Sequence, residues 1–404
     1  MSQAHIFEAE QRCPYHAGID ERKSAAAALA DESRAKKLAN GGLKIKSFAL
    51  TRKILRSGGT RQAGFMADLV IAATAKGNTP ILYQEGEVHM KQRTASARFF
   101  APRVVATRYR DLMNEISDRL IDRLKTKGRA DLSQLGIEMA IAVAAEIVGL
   151  TDSSLTGMAR RLNSFFTRGA KAKSNLTIQK LIQSVNRLSL LSFFWFDVKP
   201  AIKSRKKERK DDVISHLIDH NYTDAEILTE CMTYGAAGMV TTREFIVMAA
   251  WHLIERDELR KHFVETDEDG RIAILEEILR LEPVVGALYR RASEDLTFDM
   301  DGEITHIPAG TLVEMDVRAT NSDPETAGEC PYRLMPERDA AKASMSFGDG
   351  NHRCPGSAIA MQETAIFLEK LFKTPNLKLT KGPVLAWNAL TVGYELRDAI
   401  LTVG

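Results

Sequence analysis

One cysteine sits where its neighbours could make it chemically useful. The segment Ser346-Phe347-Gly348-Asp349-Gly350-Asn351-His352-Arg353-Cys354-Pro355-Gly356 gathers glycines and polar residues around Cys354. Pro355 is placed for the first turn of a helix running through Ile359, Met361 and Phe367, which puts Cys354 at a helix N-terminus. Free backbone N–H groups and the helix dipole there favour a thiolate, which could act as a nucleophile or a metal ligand. Glu277 and Arg280 are one helical turn apart and can pair on one face. His89 and Arg93, four apart, also share a face. In Gly235-Ala236-Ala237-Gly238-Met239-Val240-Thr241-Thr242, small residues permit close approach, and a threonine hydroxyl can interrupt the helical hydrogen bonds.

Helical periodicity dominates the elements that must position these groups. Leu112, Ile116, Leu120 and Leu124 form one apolar stripe. Leu135 to Val148 is apolar almost all round, predicting a buried helix with Gly149 as its C-cap. Thr223-x-x-Glu226 is a capping-box pattern that opens a helix running past Trp251. Such a helix, of about 30 residues, would be about 45 Å long. Ile272 to Leu281 predicts another, ended by Pro283. Strand character comes later. Leu296 to Ile307 carries the hairpin pair Asp301-Gly302, and Val313, Met315 and Val317 alternate with polar neighbours. Asn321 to Ser346 reads as a long irregular stretch, and loops of that length are usually functional.

The composition narrows the function classes. The chain has 404 residues, of which 44% are hydrophobic and 27% charged, enough apolar material for a large core. The net charge of +3 gives no reason to expect nucleic acid as a partner. Cys13, Cys231, Cys330 and Cys354 are scattered, without zinc spacing or a disulfide framework, so a reducing compartment is expected. The other three cysteines read as packing or surface residues. The polar N-terminus has no signal-peptide pattern, and the densest apolar run, Leu188 to Phe196, is too short to cross a membrane. The expectation is a cytoplasmic monomer without membrane insertion. The basic run Lys203 to Lys210 reads as a solvated helix start or loop. No Gly/Ser/Pro linker divides the chain, so residues 1–404 read as one mainly α domain with a small β region.

The cysteine segment matches FGxGxHxCxG at every defined position, so the chain resembles a soluble bacterial cytochrome P450. The resemblance implies the cytochrome P450 fold, a single haem domain with a long central helix. It implies haem b (iron protoporphyrin IX) held by Cys354 as axial iron ligand, with Phe347 and Gly356 in the same binding loop. Glu277, Arg280 and Arg338 resemble the family's buried Glu-x-x-Arg network, which locks the irregular stretch before the cysteine. His89, Arg93, Arg290 and His352 match the positions that hold the haem propionates, with Arg291 the weaker partner of its pair. Thr241 and Thr242 align with the oxygen-side threonine and its successor. The family's acid before that threonine is replaced by Val240, so a standard proton relay is not implied. Thr241, ordered water or a substrate group is the expected route, with Glu244 as a further candidate.

The resemblance also implies a monooxygenase that uses O2 and electrons from a separate ferredoxin and its reductase. A basic patch on the Cys354 side would dock the ferredoxin. The substrate would be a hydrophobic small molecule of natural-product, terpenoid, steroid or fatty-acid type. Ala237, Val240, Val284 and Val285 are the expected pocket residues, within segments Phe65–Tyr83, Phe165–Phe166, Leu188–Phe196, Pro283–Leu288 and Leu390–Gly393. Val240 also leaves room for altered chemistry on the same haem–thiolate: oxidative coupling, peroxide-driven oxidation or isomerisation. A non-catalytic haem-binding module is the third reading, disfavoured by the intact Cys354, Thr241, Glu277 and Arg280.

Overall fold

A capping box starts the element that organises the molecule. In the computed structural model, which describes residues 20–29, 41–75, 77–169, 188–300 and 302–404, Glu226 N–H donates to Thr223 Oγ1 at 3.3 Å. Thr223 N–H donates back to Glu226 Oε2 at 2.7 Å. The central helix runs from there as three pieces without a break in chain direction. We number elements as introduced in chain order: α1 (Phe48–Arg56), α2 (Gly86–Ala97), α3 (Arg110–Lys127), α4 (Leu132–Val148), α5 (Asp224–Tyr234), α6 (Thr241–Ile254), α7 (Glu268–Leu281) and α8 (Ser357–Phe372). Between α5 and α6 lies a π-helical segment, Gly235–Val240. The expected long helix therefore forms, but with a widened turn at its glycines, the kind of irregularity that accompanies functional sites.

Helix α4 is buried along almost its whole length, as its composition predicts, and Gly149 caps it at φ 97°. Small residues set its distance from the central helix. A Cβ on Gly136 would touch Ile246 at 3.5 Å, and one on Gly238 would meet Ala144 at 3.9 Å. The stripe on α3 is turned slightly from the expectation. Met113, Ile116, Ser117, Leu120, Ile121 and Leu124 are buried, while Leu112 is only partly so. These faces join α8 and the central helix in one core, in which each fully buried Leu, Ile or Val contributes about 1.5–3 kcal/mol.

Besides a three-stranded sheet of Arg129–Asp131, Ile400–Thr402 and Lys378–Lys381, the strands described are β1 (Leu43–Ile45), β2 (Thr60–Gln62), β3 (Ala287–Ala292), β4 (Leu296–Met300), β5 (Glu303–Ile307), β6 (Leu312–Asp316), β7 (Val384–Asn388) and β8 (Gly393–Arg397). They make one four-stranded sheet, ordered β1-β6-β3-β2, and the pairs β4–β5 and β7–β8. The β4–β5 pair is the expected hairpin, with Leu296 opposite Ile307. The alternation at Val313, Met315 and Val317 is only half right. Val317 begins a helical turn, and Glu314 and Asp316 on the other face are buried too. Lys44 meets Asp316 at 2.8 Å and Tyr289 Oη bonds to Glu314 at 3.1 Å, which makes that burial tolerable.

Two further sequence readings are corrected. The run Lys203 to Lys210 is not uniformly solvated: Arg205 is buried against Asp212 and Asp152, on the helix Lys199–Lys207. Cys330 is not a free packing residue but is disulfide-bonded. Cys13 lies outside the described residues, while Cys231 and Cys354 are free.

Candidate functional site

Glu277 and Arg280 project from the last turns of α7 and are fully buried. Arg280 Nε and Nη2 donate to the two Glu277 oxygens at 2.7 and 2.8 Å, a bidentate pair. Arg338 Nε donates to the same carboxylate at 3.3 Å, which brings the expected triad together. Arg280 spends its remaining donors on the carbonyls of Asn321, Pro331 and Arg333. Asn321 extends the network: its side chain donates to the Arg280 carbonyl and to Ser346 Oγ, and accepts from Met345 N–H. Ser346 Oγ in turn donates to the Leu279 carbonyl at 2.9 Å. The stretch 321–346, which has little periodicity, is thus tied to α7 through backbone carbonyls.

That network delivers the chain to the cysteine loop. Cys354 N–H donates to the Phe347 carbonyl at 2.8 Å, and Gly348 at φ 68° and Gly350 at φ 64° make the turns. Gly350 also has to be small: a Cβ would lie 2.2 Å from the Leu55 carbonyl at the end of α1. Asp349 accepts from Arg52 and Arg56 of α1 at 3.1 and 2.9 Å. Pro355 is not the first helical residue as expected. The N-cap is Gly356 and α8 begins at Ser357, with Pro355 in the turn just before it. The thiol still receives the Gly356 backbone N–H. Burial pushes its pKa up, while that hydrogen bond, Arg93 and Arg353 pull the other way. Burial therefore outweighs the helix-terminus effect read from the sequence.

Arg93 links the cysteine to a cationic rim. Its guanidinium donates to the Arg353 carbonyl, one residue before Cys354. His89, one turn earlier on α2, stacks on His352 with ring centroids 4.1 Å apart. Burial, then the neighbouring His352, holds His89 down at about 4, so at neutral pH it is an uncharged donor. Arg290, on β3, is buried and donates to Gln62 at 3.0 Å. The rim holds two groups that no motif flagged. Glu85 lies 2.9 Å from His352 Nε2 and 3.9 Å from Arg290, and accepts from Gln62 N–H at 2.6 Å. Against the upward push of burial, His352, the Gln62 amide and Arg290 hold Glu85 below the usual carboxylate range. Arg291 points elsewhere, to the Gly310 carbonyl and Asp68.

On the central helix, Thr241 Oγ1 donates to the Ala237 carbonyl within the widened turn. Thr242 is buried and contacts Glu363 of α8. Glu244 is ruled out as a mobile acid. It is buried and accepts from Arg243, from Leu396 N–H at 2.7 Å and from Arg397 at 2.8 Å, so it fastens α6 to β8. Two other carboxyls escaped sequence reading because only burial makes them unusual. Burial pushes Glu363 up to about 8, with its Thr242 contact opposing, and Glu230 up to about 7, with the Ile81 N–H opposing. Each has one oxygen without a hydrogen-bond partner.

Of the expected pocket residues, Ala237 is exposed, Val240 and Val285 are half-buried, and Val284 packs into the main core. The side chains of Phe165 and Phe166 lie outside the described residues. The strand-side wall is tightly built. Arg318 donates to the carbonyls of Val392 and Pro283 at 2.7 and 3.1 Å, clamping segments 283–286 and 391–393 together. A Cβ on Gly286 would lie 1.4 Å from Arg318 Nη1 and 2.1 Å from the Val392 carbonyl. Gly286→Ala is therefore expected to lower stability by about 1–3 kcal/mol or more. An unchanged urea midpoint would show that the clamp yields freely.

The residues present fit a haem. Cys354 would supply the thiolate that holds the iron, and Arg290 keeps N–H donors to spare after Gln62, as Arg has five. His89, His352 and Arg93 add donors around it, suited to two carboxylates.

Comparison with known proteins agrees. The Cytochrome P450 family model matches residues 272–385. The biotin biosynthesis cytochrome P450 of Bacillus subtilis is 26% identical, over 75% of this chain and 74% of that protein. The cytochrome P450 monooxygenase PikC of Streptomyces venezuelae is 28% identical, over 78% and 74%. Among solved structures, P450BioI in complex with acyl carrier protein ligated to hexadec-9Z-enoic acid superposes with TM-score 0.74 and 23% identity, covering 90% of this chain and 92% of that one. CalO2 gives 0.76 at 20% identity, covering 93% and 97%. This fold, this family match and these relatives make the chain similar to the cytochrome P450 family, the haem b-dependent monooxygenases.

Proposed function

We propose that this monooxygenase, one haem domain over its length, oxidises a hydrophobic small molecule with O2 and electrons from a separate ferredoxin and its reductase. The observation that carries the reading is the rim beside Cys354: Arg93 bonded to the Arg353 carbonyl, His89 stacked on His352, and Arg290 buried with donors to spare. Bound haem supplies the oxygen chemistry; the protein binds, orients and handles protons. Cys354 would ligate the iron, with Phe347 and Gly356 shaping its loop. His89, Arg93, Arg290 and His352 would hold the propionates. Ala237, Val240 and Val285 would line the substrate side. Arg52 and Arg56, about half exposed above Asp349 of the cysteine loop, would help dock an acidic ferredoxin. Reduction by ferredoxin should then slow with rising salt.

The relatives support the substrate class, since they include a P450 solved with a hexadecenoic acid-ligated acyl carrier protein and a cyclomarin C epoxidase. A Soret titration of the ferric holoprotein against hexadec-9-enoic acid, a macrolide and a steroid tests it. A saturable low-spin to high-spin shift with one class is expected. No shift from any of the three would reject these substrate classes.

Val240 favours a second reading, altered chemistry on the same site, because valine cannot carry a proton. Proton handling then falls to Thr241. Thr241→Ala is expected to divert several-fold more reducing equivalents into peroxide or water than the parent does. Full, coupled turnover by that variant would reject a threonine relay.

A further inference from the structure

The charge of this chain is not evenly spread. Between Asp152 and Asp197 there is no acidic residue, and residues 153–210 hold 14 Lys and Arg against Asp197 and Glu208. The whole chain is only +3, so the remainder is net negative. The described part of this region shows where the charge faces. Its helical run from residue 188 to Lys207 turns Phe193, Asp197, Val198, Ala201, Ile202 and Arg205 inward. Asp197 is spent on Arg161 at 2.5 Å and on Ser153 at 2.6 Å.

The outward face carries Leu188, Leu191 and Trp195, then Lys199, Lys203 and Lys206, spaced three or four apart as one stripe. Leu188 is 65% exposed, Leu191 44%, Trp195 55% and its neighbour Phe196 62%. Single exposed apolar residues are ordinary, but four within nine positions of one helix form a patch. Lys199 places its ammonium 3.7 Å from the Trp195 ring centroid, at the junction of the apolar and basic halves. Lys206 reaches Asp224 at 3.0 Å, whereas Lys199, Lys203 and Lys207 have no carboxylate partner among the described residues.

We propose that this face docks the protein on an anionic lipid surface. Apolar side chains beside an interfacial tryptophan and a row of lysines are what a helix lying in a headgroup layer requires. Among the described residues no helix is long and apolar enough to cross a membrane, so the attachment is peripheral. A soluble acidic partner would satisfy the lysines but would leave the exposed Leu, Trp and Phe without an apolar counterpart. Docking would place the enzyme where hydrophobic molecules concentrate, but the inference is tested without any substrate.

The experiment is co-sedimentation of the holoprotein with phosphatidylcholine vesicles, with and without phosphatidylglycerol, read together with tryptophan emission. At least tenfold stronger partitioning onto the anionic vesicles is expected, weakened by 0.5 M salt, with a blue shift of emission. The triple variant Lys199→Glu, Lys203→Glu, Lys207→Glu should lose that preference, and Trp195→Ala should lose most of the blue shift. An unchanged thiolate–CO spectrum in both variants would show that the fold is intact. Equal partitioning onto neutral vesicles, or variants that bind like the parent, would overturn the proposal. So would polyglutamate competing fully with no emission shift, which would mark an acidic protein as the partner. A dimer that Trp195→Ala dissociates would assign the patch to a second copy and overturn it as well.

Discussion

Glu277→Ala is expected to yield protein that neither retains haem nor reaches the parent's stability. The substitution removes the carboxylate that Arg280 holds bidentately and that Arg338 and Met335 N–H also address. Arg280 stays fully buried, with its charge uncompensated. Breaking a buried pair in this way costs about 3–5 kcal/mol, a large share of the roughly 5–15 kcal/mol that holds a typical fold. The damage is also directed. Arg280 and Asn321 hold the backbone of residues 321, 331 and 333 and pass the constraint to Ser346, where the cysteine loop begins. Haem content per chain and the urea midpoint of the purified variant check this. A variant that loads haem stoichiometrically and unfolds within about 1 kcal/mol of the parent would show the network to be dispensable. Cys354 itself is untouched in this variant, so haem loss would report on the scaffold and not on the ligand.

The second large effect depends on pH. Glu363 is wholly buried on α8, and burial holds it protonated up to about 8 against the Thr242 contact. In the unfolded chain the same carboxyl ionises near 4.5. Between these values the unfolded state binds fewer protons than the folded one, so this group makes stability fall as pH rises through that window. The loss is complete only above about 8. Its ceiling is on the order of 5 kcal/mol, since each pKa step is worth about 1.4 kcal/mol. Glu363→Gln removes the titration while keeping the shape. Relative to the parent, the variant should therefore gain stability between pH 5.5 and pH 9, by roughly 3–5 °C in Tm for a chain of this size. Glu230, held at about 7, should behave alike with a smaller gain. A Tm difference between variant and parent that is flat across that range would show that Glu363 is ionised, or solvated, in the fold. A carboxylic-acid carbonyl band lost in Glu363→Gln would report the same proton independently.

Much of the site was legible because its parts are local. Spacing alone puts Glu277 on the face of Arg280 and His89 on the face of Arg93, and a run of eleven residues defines the cysteine loop. The boundary errors were local too. Pro355 suits a first helical turn, yet it lies in the turn that precedes the N-cap Gly356, and the helix starts at Ser357. Glu244 shows the opposite failure. Three residues after Thr241 it looked available, but its direction around the helix delivers it to Leu396 and Arg397, more than 150 residues away.

The sequence by itself determined the cysteine loop, the charged pair on α7, the long central helix with its small residues and threonines, and hence the resemblance to the family. Each of these is a relation among residues within a few turns of chain, where covalent geometry sets the distances. Only the tertiary structure decided which carboxyls are ordinary. Glu85, Glu230, Glu244 and Glu363 are the same residue type. One sits among cations at the rim, one fastens a strand, and two are driven toward the neutral form. What separates them is how much water the fold removes and which distant groups it brings within about 4 Å, and both arise only when remote segments pack.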